Sequence, residues 1–110
     1  MATVWYRVRD LDKARAFYRD QIGFEEVFVD FDDGWSRLTH GQTEIALAAG
    51  DPAEPGGVAH VDVDDVKAHA ERLRAAGVDV GVVLELHGQI RLVDVFDPDG
   101  NRLQLAQSLD

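Results

Sequence analysis

His60 and Asp62 are the residues whose types and spacing most readily suggest chemistry. In a strand, side chains two apart share a face, so an imidazole and a carboxylate placed this way reach the same point. Such a pair can serve as an acid–base couple, because a carboxylate raises the pKa of imidazole, or supply two ligands of a displaced metal site. A hydrogen-bonded cavity histidine is the plainer reading and the favoured one. His40, His69 and His87 are expected at a turn, a helix face and a strand edge, and receive no role. Asp30-Phe31-Asp32-Asp33-Gly34 resembles a calcium loop, but its glycine is fifth and not sixth, and Gly41 stands where the twelfth-position glutamate should be. A hairpin turn fits better. The chain has no cysteine, which excludes disulfides, zinc–thiolate sites and cysteine nucleophiles. P-loop, G-x-G-x-x-G and H-E-x-x-H motifs are absent too.

The elements that must position these residues come in two similar units. Val4, Tyr6 and Val8 alternate as one face of a strand. Asp10 then offers a helix N-cap, and Leu11, Ala14, Phe17, Tyr18 and Ile22 recur at helical spacing until Gly23. Strands are expected over 24–31, 35–39 and 43–48, with turns at Asp33-Gly34 and His40-Gly41. The order then repeats. A strand over 58–63 leads to the cap Asp65, an apolar stripe of Val66, Ala70, Leu73 and Ala76, and the stop at Gly77. Strands follow over 78–84, 89–96 and 102–107, with Asp97-Pro98-Asp99-Gly100 as a turn. The caps lie 55 positions apart and the stop glycines 54. A duplicated β-α-β-β-β module is the inference. The first module covers 1–48 and the second 58–110, joined by a Gly/Pro-rich linker over 49–57.

At 110 residues one domain is expected, with a core too small to divide. Acidic residues outnumber basic ones 21 to 11, for a formal net charge of −10. That field repels phosphates and anionic lipid surfaces and favours cationic partners, so neither nucleic acid nor membrane is an expected partner. Met1-Ala2-Thr3-Val4-Trp5 has no basic run leading into an apolar one. No apolar stretch approaches the roughly 18 residues of a membrane span. The cytoplasm is the expected location.

With the units placed, the local motifs resemble the vicinal oxygen chelate superfamily of glyoxalases, bleomycin-resistance proteins and dioxygenases. Asp10-Leu11-Asp12-Lys13-Ala14-Arg15-Ala16-Phe17-Tyr18 is similar to its opening helix, and Ile22-Gly23-Phe24 to the segment that follows. Val63-Asp64-Asp65-Val66 and Arg72 to Val78 resemble the two ends of its second helix, and Asp97-Pro98-Asp99-Gly100-Asn101 its final turn. The resemblance spans nearly the whole chain. It implies an α+β fold in which eight strands in two modules form curved mixed sheets around a cup. It also implies inward positions from which metal-dependent members draw their ligands, and here these hold Thr3, Val58, Gln104 and Ala46. Hard divalent ions need carboxylate or imidazole donors. Valine and alanine have none, so no metal and no other cofactor is expected, and no catalytic residue is assigned. The nearest type is then the metal-free bleomycin-resistance-like proteins, dimeric acidic binders that sequester a cationic antibiotic.

Strand alternation from those inherited positions gives the cup lining. Thr3 brings Trp5 and Arg7 inward, Val58 brings His60 and Asp62, and Gln104 brings Arg102 and Ala106. Asp94, Leu92, Glu44, Trp35 and Arg37 complete it. The expected ligand-binding set is therefore Trp5, Arg7, Trp35, Arg37, Glu44, His60, Asp62, Asp94 and Gln104. Indoles beside carboxylates suit a flat or cationic organic molecule. Trp5 as a plain wall residue and an Arg7–Asp62 structural ion pair are the bland alternatives. A different class of function, a lyase-, isomerase- or dioxygenase-like enzyme, would use a non-standard site around His60, Asp62, Glu44 and Asp94. A vestigial cup on an interaction domain is a third. Binding is preferred, with a homodimer as the expected assembly.

Overall fold

The computed structural model describes residues 3–52 and 57–109, so part of the expected linker, 53–56, lies outside the described residues. The first sheet contains β1 (Thr3–Val8), β2 (Glu25–Asp30), β3 (Trp35–His40) and β4 (Thr43–Ala49), in the order β1-β4-β3-β2. The second contains β5 (Ala59–Asp62), β6 (Asp79–Val80), β7 (Leu84–Leu86), β8 (Ile90–Phe96) and β9 (Arg102–Ser108). Its order is β5-β9-β8-β6, with β7 also on β8. In each sheet the first strand runs parallel to the last, because a helix intervenes, and the remaining ladders are antiparallel.

The helices start where the caps place them. Asp10 accepts from the Lys13 amide at 3.1 Å to open α1 (Leu11–Ala16), and Asp65 accepts from Ala68 at 3.1 Å to open α2 (Val66–Ala75). Gly23 and Gly77 take the left-handed conformation at φ 95° and 84° that a side chain would resist. Under the helices lies one apolar core, with Tyr6, Val8, Tyr18, Ile45 and Leu47 from one half and Val61, Leu73, Val93, Val95 and Leu103 from the other. Tyr6 joins the halves. Its hydroxyl donates to the Arg102 carbonyl at 2.6 Å and accepts from the Ala59 amide at 2.8 Å, and burial pushes its pKa up to about 12. Asp97 makes a second junction, accepting from the buried Tyr18 hydroxyl at 2.8 Å and from the Asn101 amide at 2.8 Å.

Three features depart from the periodicity. The first helix finishes as a π-helical turn over Phe17–Ile22. The strand expected over 78–84 is instead two short ones, β6 and β7, so the sheets hold four and five strands and not eight in total. β2 carries a bulge between Glu26 and Phe28. The bulge leaves Glu26 on the helix side, where Arg15 grips it through two bonds of 2.6 and 2.7 Å and the Ser36 hydroxyl donates at 2.6 Å. Those bonds from Arg15, reinforced by Ser36, hold the Glu26 carboxyl below the usual range.

Candidate functional site

Each sheet buries one face under its helix and leaves the other open. On the first sheet the register sets out three rows across the open face: Thr3–Glu44–Thr39, Trp5–Ala46–Arg37–Phe28 and Arg7–Ala48–Trp35–Asp30. Ala46 and Ala48 stand between the larger side chains of β1 and β3, and Ala46 is fully covered by its neighbours. Trp5 and Trp35 lie 5.7 Å apart at 33°, and Trp35 and Phe28 lie 4.9 Å apart at 44°. Trp5 remains 53 % exposed. An aromatic surface left open on a rigid sheet is the informative kind of exposure. Arg37 faces Glu44 at 3.5 Å. Trp5, Arg7, Trp35, Arg37 and Glu44 are thus brought to one face, as strand alternation expects.

Phe28 belongs to the same cluster and escapes the sequence. Counting by twos from the buried Phe24 would send Phe28 into the core, and only the bulge turns it outward. No local signal in Glu25-Glu26-Val27-Phe28 announces that bulge.

The other four expected residues lie on the second sheet. His60, Gln104 and Asp94 form one row, and Asp62, Ala106, Leu92 and Leu84 the next. His60 and Asp62 meet at 3.2 Å, and Asp94 faces Arg102 at 3.5 Å. The Arg7–Asp62 pair considered from sequence does not form among the described residues, because the two are on different sheets and Asp62 turns to His60. The expected nine-residue lining is therefore two clusters in one chain.

The two faces occupy equivalent places in the two modules. Trp5 corresponds to His60 and Arg7 to Asp62 at the cap offset, and register then equates Ala46 with Gln104, Glu44 with Arg102 and Arg37 with Asp94. At all three equivalent pairs of charged positions the sign is reversed.

Metal-dependent proteins of this architecture would take donors from positions held here by Thr3, Ala46, Val58 and Gln104. An alanine methyl and a valine side chain have no lone pair, and a threonine and an amide do not make a divalent site by themselves. The residues present do not fit such an ion. Among the described residues, no three His, Asp or Glu side chains are grouped so as to hold one elsewhere.

Comparison with known proteins agrees with this architecture. TnmS3, an antibiotic binding protein from Streptomyces sp. CB03234, superposes with a TM-score of 0.75 at 28% identity, covering 96% of this chain and 93% of its own. A bleomycin resistance determinant encoded on the transposon Tn5 gives 0.75 at 25% identity, covering 98% and 97%. The genomically encoded fosfomycin resistance protein FosX from Listeria monocytogenes gives 0.81 at 19% identity, covering 98% and 92%, a likeness of fold alone. No curated protein sequence matches the chain. The sequence profile of the Glyoxalase/Bleomycin resistance protein/Dioxygenase superfamily matches residues 1–105. The chain belongs to that superfamily.

Proposed function

We propose that this protein is a metal-independent small-molecule binding protein, a cytoplasmic homodimer that sequesters a flat aromatic, preferentially cationic compound of the antibiotic type. The observation that carries the reading is the exposed cluster of Trp5, Trp35 and Phe28 on the open face of the first sheet. Its rings offer stacking and cation–π attraction, and Glu44 supplies a carboxylate beside them. The net charge of −10 draws cations to the surface. TnmS3 and the Tn5 determinant, by their names an antibiotic binding protein and a resistance determinant, are similar over nearly the whole chain.

Dimerisation follows from the same two faces. A two-fold pair would set the first-sheet face of each chain against the second-sheet face of its partner. Arg7, Arg37 and Glu44 would then meet Asp62, Asp94 and Arg102, charges of opposite sign at every equivalent place. The ligand would lie between an aromatic wall and a polar wall, and all nine expected residues would line one cavity.

Fluorescence tests the binding reading. Trp35→Phe leaves Trp5 as sole indole, and bleomycin or ethidium is expected to quench it. Trp5→Ala, followed calorimetrically, is expected to weaken binding about tenfold, the equivalent of about 1.4 kcal/mol. Lower thermal stability with unchanged affinity would make Trp5 a structural wall. If neither compound binds at millimolar concentration, the reading fails.

A further inference from the structure

Phe28 is carried to the aromatic face by a lightly held strand. β2 lies at the edge of the first sheet, so among the described residues its one ladder is with β3, and the bulge between Glu26 and Phe28 interrupts that ladder. Further support comes from α1, whose Arg15 reaches β2 near both ends. The guanidinium binds the Glu26 carboxylate at 2.6 and 2.7 Å just before the bulge. It also lies 4.9 Å from the centre of the Phe31 ring, one residue past the end of the strand. Asp12 steadies Arg15 in turn at 3.0 Å. Ser36 of β3 spans the bulge itself. Its buried hydroxyl lies 2.6 Å from Glu26 Oε2 and 3.0 Å from the Phe28 carbonyl oxygen, with Val27 left out of register between them. Phe28 thus sits between the two Arg15 contacts but on the other side of the sheet, its ring 4.9 Å from that of Trp35.

The second module supplies a control within the same chain. Ala70 stands where Arg15 does and Val80 where Glu26 does, so the grip is absent. No extra residue intervenes there. Val80 pairs with Val95, and the next residue, Gly81, donates its amide to the Asp94 carbonyl at 2.8 Å. Asp94 is the counterpart of Arg37, which pairs with Phe28. Gly81 therefore holds the place of Phe28, and the regular strand ends at Val80. The half with the grip has the bulge and the outward ring, and the half without it has neither.

We propose that Arg15 is a positioning residue for the aromatic face: by holding β2 at Glu26 and Phe31 it keeps the bulge in place and Phe28 against Trp35. That Arg15 thereby tunes ligand affinity rests on the binding reading above, whereas the ring contact belongs to the free protein. A guanidinium suits the role, because its fork fixes a carboxylate through two bonds while its face packs on a ring.

The test removes the pair as Arg15→Ala with Glu26→Val, which leaves the net charge unchanged and so preserves the field that draws a cation. In the free, full chain, nuclear Overhauser contacts between the Phe28 and Trp35 rings are expected in the wild type and should be lost in this variant. Its affinity for ethidium should fall roughly threefold, as in Phe28→Ala, and in a Phe28→Ala background it should fall no further. Arg15→Lys keeps the charge without the fork, and as a milder second variant should weaken the same ring contacts. Ring contacts that persist in both variants would overturn the proposal. So would an affinity loss as large without the Phe28 ring as with it, which would leave Arg15 a purely structural ion pair. Ethidium that fails to bind the wild type would sink the binding reading, and the ring contacts would then decide the role of Arg15 by themselves.

Discussion

The two modules fold alike and mount different chemistry. Each has a capped helix ending at a left-handed glycine, and a sheet whose first strand pairs in parallel with its last. On the open side, the first presents indoles, phenylalanine and arginines, while the second presents imidazole, amide and carboxylates. On the helix side the contrast recurs. Arg15 and Glu26 form a half-buried ion pair in the first module, where the cap and glycine offsets lead to Ala70 and Val80 in the second. Core positions that must pack keep their apolar character in both halves, and positions facing outward are free to diverge. The two halves thus share a frame set by packing and differ on the faces that packing does not constrain.

The comparison can be broken most severely at the ion pair. Arg15→Ala leaves the partly buried Glu26 with the Ser36 hydroxyl as its hydrogen-bond donor and Arg19 at 3.7 Å as its remaining cation, and should lower stability by about 3 kcal/mol in urea titration, the low end for a buried pair that loses one partner. Ala70 in the second module shows that the helix itself does not need a charge there, so Arg15→Ala combined with Glu26→Val should recover much of the loss.

A somewhat smaller effect concerns the junction between modules. The Tyr6 phenol is held neutral, with its pKa raised from 10 to about 12. A group raised on folding contributes in full below pH 10 and loses that contribution as pH climbs through 12. Unfolding free energy should therefore fall by about 2–3 kcal/mol across that range. Tyr6→Phe should show a shallower alkaline decline and, from its orphaned Ala59 amide, a loss of about 1–3 kcal/mol at neutral pH. A wild-type decline that Tyr6→Phe leaves unchanged would assign it to other tyrosines or arginines.

The smallest effect addresses the opposed faces. Arg37→Glu should weaken self-association about tenfold, or about 1.4 kcal/mol, and Asp94→Arg in the same chain should restore it. Sedimentation reads both. A wild-type chain that sediments at 12.2 kDa at high micromolar concentration would instead remove the dimer.

Much of this architecture was legible in the residues alone. Asp10, Gly23, Asp65 and Gly77 mark helix ends by local chemistry, since a cap carboxylate or a positive φ is decided within a few residues. Strict alternation in β1, β5 and β9 likewise determined which side chains face outward, because a strand with one buried face has a period of two and nothing else to obey. The bulge that turns Phe28 out, the break between β6 and β7 and the π-helical turn after Ala16 were not legible. Each arises where two elements must fit against one another, and no window of sequence contains both partners. The division of nine expected residues into two clusters has the same origin. Alternation tells which face of its own strand a residue occupies, but only the packing of one sheet beside another decides which faces share a space.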